Sequence, residues 1–429
     1  MITVLHLTPH LGGGVGKALY VLIAQNHVSG ASVRHVVACL EKPEKNLFLD
    51  RIRDSGGEVI VSPDPSRLDE LVSTADIIQL EWWNHPATIE CLCSMATQPI
   101  RLLVWCHVSG LYNPIIPPKL MEVSNRFLFT SPCSFEAKQV SALAAHLGSR
   151  LAVVSSGGGF QALPEPRGGD LAPLSAGYLG SLNFAKLHPG YIDFLSAVNL
   201  PDFKVRLIGD LLNREVLERR SNDTGRAGML DFRGYTTEVA TELSGINVLA
   251  YLLNPRHYGT AENALLEAMA MGIVPIVLDN PAERNIVEHL RTGLIVRSPR
   301  EFADAVEWLA YNPGDRSRMG MQAAASVRER FSPERMGAAF CTHYEEVMSE
   351  QKQLAPFQDV FGTTPDEWFL SCQSEPEMFG EDGEIHLPAE SLSSFSLLER
   401  TKGSVFHFLQ YFPDAERLQA WAARLEALR

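Results

Sequence analysis

The sequence predicts an α/β protein with two doubly wound domains that face a cleft, followed by a helical C-terminal extension. Short apolar runs alternate with segments of helical period through most of the 429 residues. A segment rich in proline and glycine at 160–173 breaks the alternation, which stops altogether after about residue 352. Because a domain usually takes roughly 100–200 residues, this length suits two or three domains.

The first domain is predicted over residues 1–158. Its strands are near-continuous apolar runs rich in Val, Ile and Leu, which indicate a parallel sheet covered on both faces. These strands are predicted at Thr3–Leu7, Arg34–Leu40, Glu58–Val61, Asp76–Leu80, Arg101–Trp105, Arg126–Thr130 and Leu151–Ser155. Helical patterns fall between them, as a doubly wound sheet requires.

The second domain is predicted over residues 174–330. Its strands are expected at Ala176–Leu179, Lys204–Ile208, Leu230–Arg233, Val248–Leu253, Val274–Leu278 and Gly293–Val296. Its helices are expected at about 187–199, 236–244, 260–271, 282–290, 299–311 and 316–330. A further helix at 333–350, capped by Ser332, is predicted to return to the first domain. Ligands of such sheets bind at the carboxyl ends of the strands, so the cleft between the domains is the expected site.

The extension is predicted over residues 355–429. It contains aromatic patches, an acidic stretch rich in turn residues and an amphipathic final helix. The aromatic residues are interpreted as a core of the extension rather than as a ligand site. The extension has 13 acids and five bases, which supplies −8 of the net charge of −14. It is also where contact with a second copy or another partner is expected.

The composition excludes several classes of partner. With 51 acids against 37 bases, the field of the chain repels phosphates, so neither nucleic acid nor a basic membrane-docking face is expected. No apolar run approaches the roughly 18 residues of a spanning helix. The N-terminus lacks the basic region of a signal peptide, so a cytoplasmic location is predicted. The seven scattered cysteines are interpreted as reduced and mostly buried.

A glycine-rich turn, Gly12-Gly13-Gly14-Val15-Gly16-Lys17, follows the first strand and precedes a helix. It is neither a phosphate-binding Walker loop nor a dinucleotide fingerprint, because the spacing of its glycines fits neither pattern. Two interpretations stay open. Either Gly12, Gly13 and Gly14 let a ligand approach the backbone and the start of the helix, or they form a tight strand–helix turn.

The most specific segment is GTAENALLEAMAMG at 259–272. Asn263 and Glu267 are four residues apart and share one helix face. A carboxylate on a core-facing helix needs partners, and sugar hydroxyls would supply them. Free backbone amides at the helix start, around Asn263, Ala264 and Leu265, could hold a diphosphate.

This segment resembles the donor-binding signature of family 4 glycosyltransferases of the GT-B type, which are built from two Rossmann-like domains. In that signature two glutamates separated by seven residues precede Ala-Met-Ala-x-Gly. The second glutamate binds the nucleotide ribose, and Glu267 matches it. The first usually contacts the donor sugar, but this sequence has Gly259 there. Glu262 is the nearest carboxylate and is expected to take its place.

Other stretches are similar to the family in the expected order. Residues 177–186, GYLGSLNFAK, resemble the stretch that clamps the diphosphate, with Gly180 in its loop and Lys186 as the clamping lysine. Tyr178 stands where the family often has an arginine. Gly12–Gly14 resemble the acceptor-side loop, and Tyr235 follows a strand whose loop usually meets the nucleotide base. The resemblance covers about residues 1–350.

Two further residues end strands of the first domain and are candidates for catalysis. The family often has a histidine near the donor sugar at the position of His107. Glu81 ends the preceding strand and could orient an acceptor hydroxyl, act as a base or form a salt bridge in the loop. The adjacent Trp82 and Trp83 could stack on a sugar but are more typical of packing.

No metal site is predicted. His6 and His10 are four apart on a strand-to-loop segment, which does not place them on one helical face. No Asp-x-Asp pair follows a strand. The positive charge for the diphosphate is therefore expected from Lys186 and helix dipoles, without metal and without a cofactor beyond the nucleotide sugar.

The predicted function is transfer of a sugar from a nucleotide-sugar donor, UDP-linked rather than GDP- or ADP-linked, to an acceptor hydroxyl. The resemblance implies retention of anomeric configuration. Two alternatives stay open: a sugar-nucleotide epimerase or hydrolase of the same fold, and a degenerate binding subunit without turnover. Neither the sugar nor the acceptor can be read from the chain, because acceptor pockets are built from loops.

Overall fold

The computed structural model describes residues 1–43, 45–96, 98–166, 168–169, 172–386 and 395–428. Contacts within the chain define two compact units. The first comprises Met1–Gly158, Tyr258–Thr260 and Pro333–Arg429, and the second comprises Gly159–His257 and Ala261–Ser332. Residues 167, 170 and 171 of the predicted linker, and residues 387–394 and 429 of the predicted extension, lie outside the described residues.

The first unit contains a parallel sheet with the strand order β3-β2-β1-β4-β5-β6-β7. Its strands are β1 (Ile2–Thr8), β2 (Val33–Cys39), β3 (Glu58–Val61), β4 (Ile77–Trp82), β5 (Leu102–Cys106), β6 (Arg126–Phe129) and β7 (Leu151–Val153). Strands β4 and β5 are buried along their whole length, as expected for a sheet covered on both faces. The order reverses between β1 and β4, which pair in parallel and form the switch point of this sheet.

Helices flank this sheet and connect its strands. They are α1 (Gly13–Ser29), α2 (Leu47–Asp54), α3 (Pro65–Thr74), α4 (Pro86–Ser94), α5 (Pro118–Val123) and α6 (Lys138–Leu147). Helix α1 ends at Gly30, whose φ of 68° suits a C-terminal glycine.

The second unit contains a parallel sheet with the strand order β10-β9-β8-β11-β12-β13. Its strands are β8 (Ala176–Leu179), β9 (Val205–Ile208), β10 (Leu230–Gly234), β11 (Val248–Tyr251), β12 (Val274–Leu278) and β13 (Leu294–Val296). Its helices are α7 (Tyr191–Ser196), α8 (Arg214–Asp223), α9 (Val239–Leu243), α10 (Asn263–Ala270), α11 (Pro281–Arg284), α12 (Pro299–Tyr311) and α13 (Pro313–Arg330). The switch point of this sheet lies between β8 and β11.

The C-terminal part of the chain completes the first unit. It forms α14 (Pro333–Met348), α15 (Phe357–Phe361), α16 (Pro365–Leu370), α17 (Phe395–Leu398), α18 (Val405–Tyr411) and α19 (Glu416–Ala427). Helix α14 covers the sheet, where the Phe340 and Trp105 rings meet edge to face with centroids 4.8 Å apart. The aromatic residues of the extension share one core with the first domain, since Phe361 stacks on Trp82 at 5.3 Å. They therefore do not form the separate core that the sequence predicted.

Two further sequence expectations can be compared with the fold. All seven cysteines lie in the described part of the chain and are free thiols, most of them buried. Among the described residues, no helix combines the length and apolar character that crossing a membrane requires. The α/β fold with two parallel sheets and C-terminal helices is confirmed.

Candidate active site

The switch point of the second unit brings together two charged residues from different loops. Lys186 belongs to the loop after β8, and Glu262 belongs to the loop after β11. The Lys186 Nζ lies 3.1 Å from a Glu262 carboxylate oxygen, and the Glu262 side chain is only 1% exposed. The pair thus occupies the edge of the sheet where ligands of doubly wound domains bind.

Glu262 is held from three sides. The Tyr251 hydroxyl donates to its Oε2 at 2.5 Å, and the His257 Nδ1 lies 3.7 Å from its Oε1. Burial opposes ionisation of Glu262, but the charges of Lys186 and His257 and the hydrogen bond from Tyr251 outweigh burial and lower its pKa. Glu262 therefore stays charged. A carboxylate this enclosed orients Lys186, and the predicted contact of Glu262 with the donor sugar stays a prediction.

Sequence reasoning missed His257 and Glu283. The His257 Nε2 lies 3.2 Å from a Glu283 carboxylate oxygen, and both side chains are almost fully buried. Burial lowers the pKa of His257, but the charge and hydrogen bond of Glu283 and the charge of Glu262 raise it more, so that the net shift is upward. Both residues follow strands at the same sheet edge, His257 after β11 and Glu283 after β12. Their positions after neighbouring strands of the sheet could have identified His257 and Glu283 from the sequence.

Helix α10 begins directly at this cluster. Glu262 is its N-cap residue, and its φ of 42° is a left-handed conformation that costs energy for a residue with a side chain. The Glu262 side chain does not cap the helix. Because α10 begins at Asn263, the amides of Asn263, Ala264 and Leu265 belong to its first turn, where N–H groups lack partners within the helix. One turn further, Glu267 is half-buried on α10.

The remaining donor-side candidates differ in their surroundings. Gly180 lies close to Gly209, the residue that follows β9. A Cβ on Gly209 would come within 1.9 Å of the Gly180 carbonyl oxygen, so position 209 needs glycine. Tyr178 is fully buried, stacks on Tyr251 at 5.8 Å and gives its hydroxyl proton to Ser181 O. It therefore packs the core and does not replace the family's arginine. Tyr235 is 66% exposed after β10.

In the first unit, His107 follows β5 and is held by Glu81. The His107 Nε2 lies 2.8 Å from the Glu81 Oε2, while the His6 Nδ1 and the Gln79 Nε2 approach Oε1 at 3.3 and 2.8 Å. Burial would raise the pKa of Glu81, but the hydrogen bonds from His107 and His6 lower it below its usual value. Glu81 is fully buried in β4 and positions His107, and its predicted action on an acceptor hydroxyl stays a prediction.

The glycine-rich turn has features of both interpretations. A Cβ on Gly16 would come within 2.2 Å of the Leu11 carbonyl oxygen, and Gly13 has a φ of 62°. Both positions therefore need glycine for the turn itself. Gly13 and Gly14 are nevertheless exposed, and Gly12 is partly so, which leaves the backbone at the start of α1 accessible.

Among the described residues, no group of three or more His, Cys, Asp or Glu side chains is arranged to hold a metal ion. His6 and His10 diverge. His6 lies in the sheet against His35, with 2.8 Å between their ring nitrogens, whereas the His10 ring faces Trp83.

Comparison with known proteins identifies the class of this fold. Residues 175–312 match the model of the family described as "Glycosyl transferases group 1". No curated protein sequence matches the chain. The segment that matches spans β8 to α12 and contains Lys186, Glu262 and Glu267.

Solved structures of glycosyltransferases share the fold. HepE from Anabaena, in complex with UDP and glucose, has 14% identity and a TM-score of 0.60, over 81% of this chain and 100% of its own. Sucrose-phosphate synthase from Thermosynechococcus elongatus has 14% identity and a TM-score of 0.59, over 81% and 100%. A mutant O-GlcNAc transferase from Thermobaculum terrenum has 18% identity and a TM-score of 0.58, over 81% and 68%.

At these identities the likeness establishes the fold. The chain has the GT-B fold, and the match to the group 1 glycosyl transferase model lies within its second unit. The predicted resemblance to GT-B glycosyltransferases is thereby confirmed. Membership of family 4 stays a prediction.

Proposed function

We propose that this protein transfers the sugar of a UDP-sugar donor to the hydroxyl of an acceptor, with retention of anomeric configuration. The observation that carries the proposal is the Lys186–Glu262 pair at the start of α10, within the segment that matches the group 1 family. There an ammonium group lies beside the first turn of a helix. Both favour the developing negative charge of a leaving diphosphate.

The donor is proposed to bind along α10. The diphosphate would accept hydrogen bonds from Lys186 and from the amides of Asn263, Ala264 and Leu265. The ribose hydroxyls would donate to the Glu267 carboxylate, which is half-buried and one turn along the helix. The similar HepE structure was solved with UDP, which supports UDP rather than another nucleotide.

The proposed reaction needs no enzymic nucleophile. The acceptor oxygen forms a bond to the anomeric carbon while the bond from that carbon to the diphosphate oxygen breaks. The acceptor proton passes to the leaving diphosphate, whose negative charge Lys186 stabilises. Because protein groups supply this positive charge, the reaction is proposed to proceed without a metal ion.

His107 is proposed to contact the substrate. Its Nε2 is directed to Glu81, which leaves Nδ1 as the ring nitrogen that can meet a substrate oxygen. The carboxylate fixes both the tautomer and the orientation of the ring. Glu81 is thus a positioning residue for His107.

The test is Glu267→Ala in the full-length protein. Removing the ribose ligand is expected to weaken UDP binding by more than tenfold, measured by thermal shift and calorimetry, because two hydrogen bonds to a charged group are lost. Glu215→Ala, on an exposed position of α8, serves as the matched control and should leave UDP binding unchanged. Wild-type affinity for UDP in Glu267→Ala would contradict the placement of the donor.

Product analysis separates transfer from its alternatives. A UDP-sugar incubated with the enzyme alone should remain largely intact, and an acceptor should be needed for rapid release of UDP. Rapid hydrolysis or epimerisation without an acceptor would favour the hydrolase or epimerase. The replacement of the first signature glutamate by Gly259 motivates the degenerate binding subunit, which would bind UDP without any turnover.

A further inference from the structure

Six polar side chains are buried together in the first unit, between its sheet and the helices α1 and α14. They are Asn26 from α1, His35 from β2, His6 from β1, Gln79 and Glu81 from β4 and Tyr344 from α14. We call these six residues the buried network. Strands covered on both faces are usually apolar, and a polar group in such a place costs free energy unless it is hydrogen-bonded. Hydrogen bonds must therefore account for the buried network.

Two imidazoles of the buried network connect Asn26 to Glu81. The Asn26 Nδ2 lies 3.0 Å from the His35 Nε2, and the His35 Nδ1 lies 2.8 Å from the His6 Nε2. The His6 Nδ1 lies in turn 3.3 Å from the Glu81 Oε1. The Cys341 thiol donates to the Asn26 Oδ1 at 3.9 Å, which turns the nitrogen of this amide toward His35. A continuous series of hydrogen bonds therefore runs from α1 to the carboxylate.

The direction of these hydrogen bonds is fixed from both ends. At one end, the Asn26 amide nitrogen can only donate, so the His35 Nε2 accepts and the proton of that ring is on Nδ1. Burial, together with the neighbouring His6, holds the pKa of His35 well below its usual value, so this ring is neutral. At the other end, the ionised Glu81 can only accept, so His6 donates from Nδ1 and accepts at Nε2. Both ends thus require that His35 donates to His6.

A second branch of the buried network reaches Glu81 from α14. The Tyr344 hydroxyl donates to the Gln79 Oε1 at 2.6 Å, and the Gln79 Nε2 donates to the Glu81 Oε1 at 2.8 Å. Burial, together with the charge of Glu81, raises the pKa of Tyr344 well above its usual value, so the hydroxyl keeps its proton. This hydroxyl holds the Gln79 amide with its N–H side toward the carboxylate. Both branches therefore end as donors at the same oxygen atom.

The other oxygen atom of Glu81 meets His107. The His107 Nε2 lies 2.8 Å from Oε2, whereas the donors from His6 and Gln79 lie at Oε1. A carboxylate held by donors at both oxygens loses hydrogen bonds if it turns. Because Oε2 can only accept, the proton of a neutral His107 ring is on Nε2, and Nδ1 is unprotonated. The buried network thus connects α1 and α14 to the ring of His107.

We propose that His35 and Tyr344 are positioning residues of the candidate active site. Each acts on Glu81 through one further side chain, His35 through His6 and Tyr344 through Gln79. Together they hold the carboxylate in one orientation, which keeps the His107 proton on Nε2 and leaves Nδ1 to accept from a substrate hydroxyl. The link to catalysis rests on the proposed function, whereas the state of the His107 ring can be measured without any substrate.

Nitrogen NMR of the full-length protein, labelled in its histidine rings, tests this proposal. His107→Gln identifies the His107 signals by their loss. At slightly alkaline pH, where imidazoles are ordinarily neutral, the wild type should show a proton on Nε2 and none on Nδ1. Tyr344→Phe removes only the hydroxyl, and His35→Leu removes the ring that donates to His6. In each, the share of His107 rings protonated on Nδ1 should rise by roughly threefold or more, as the loss of one hydrogen bond implies.

Two further variants separate positioning from a general loss of stability. Tyr191→Phe removes another fully buried hydroxyl, which donates to Ala250 O at 3.3 Å in the second unit, and should leave the His107 signals unchanged. His35→Asn places an amide N–H near the position of the lost Nδ1–H and should restore part of the wild-type state. Unchanged His107 signals in both Tyr344→Phe and His35→Leu would refute the proposal. So would a change of equal size in Tyr191→Phe.

The kinetics of transfer provide a second measurement. Tyr344→Phe should lower kcat by about tenfold, because small displacements of a reacting group are costly. The KM for the UDP-sugar should stay at its wild-type value, since the donor is proposed to bind in the second unit. A raised KM with an unaltered kcat would contradict a positioning role. Absence of transfer in the wild type would count against the proposed function, and the NMR result would still decide whether the buried network holds His107.

Discussion

Two buried carboxylates, Glu81 and Glu262, have the same task in the two units. Each lies at the switch point of its sheet and holds a candidate site residue, His107 in the first unit and Lys186 in the second. Burial alone would favour the neutral acid, but partners that donate hydrogen bonds or carry positive charge reverse the effect. Both carboxylates therefore remain charged, and they fix the direction of their partners.

Sequence reasoning singled out His107 and Lys186, but it did not show that Glu81 and Glu262 hold them in place. His107 and Lys186 follow apolar strands, and strand ends are where ligands meet a doubly wound sheet. The direction of Glu81 was not predictable, because a strand buried on both faces lacks the alternation that separates inside from outside. Glu262 turns inward through a left-handed backbone conformation that its residue type does not signal.

The charge of Glu81 predicts a pH-dependent stability. The pKa of Glu81 is lower in the folded protein than its usual value of 4.5. Its charge therefore stabilises the fold at pH values above 4.5, and this contribution is lost as the pH falls through the folded pKa. Glu81→Gln should melt at a lower temperature than the wild type at pH 7, and the difference should shrink below pH 4.5.

The same variant should affect catalysis through His107. A displaced imidazole can cost up to about 100-fold in rate, so the rate of transfer should fall while UDP affinity stays constant. The rate profile against pH should also change, because the variant lacks the Glu81 carboxylate, which loses its charge as the pH falls through its folded pKa. Glu58→Gln, at an exposed ion pair with Arg34, should change neither quantity. A rate that falls with an unaltered pH profile would assign Glu81 a purely structural role.

At the scale of elements, the strands were predicted more accurately than the helices. The strands appear within a few residues of their predicted positions, because apolar runs of that length mark buried parallel strands. Several helices are shorter than predicted: α7 begins at Tyr191 instead of 187, after Pro189 and Gly190, and α11 ends at Arg284 instead of 290. Turns replace the predicted helix ends at these places. Long-range packing stabilises such turns, so the local sequence pattern does not predict them.

The extension was predicted as helical, but its attachment was not. Phe361 is buried and stacks on Trp82, which is some 280 positions away in the chain. Phe361→Ala should destabilise the first unit by about 3–5 kcal/mol, because a large buried ring is lost and a cavity remains. Urea unfolding followed by tryptophan fluorescence can measure this, since Trp308 is the only one of the six tryptophans in the second unit.

Leu354→Ala provides the comparison within the same part of the chain. Leu354 is 57% exposed, so its truncation should change stability by less than about 0.5 kcal/mol. If Phe361→Ala changed the free energy of unfolding as little as Leu354→Ala, the extension would contribute little to the core of the first unit.

At the scale of the whole molecule, UDP should leave a distinct pattern of protection against hydrogen exchange. UDP at about 100 times its dissociation constant should stabilise the state that binds it by about 2.7 kcal/mol. Protection should be largest at 180–186 and 262–267 in the second unit. Protection by UDP that is greatest in the first unit would contradict the placement of the donor.

The order in which the units can be completed is the reverse of their order in the chain. The first unit needs α14 and the extension, because Phe340 covers its sheet and Phe361 covers Trp82. Every residue of the second unit is synthesised before residue 333. Domains generally fold as units while the chain emerges from the ribosome. The second unit can therefore reach its final structure first, while the N-terminal sheet keeps apolar surface exposed until residues 333–429 have been made.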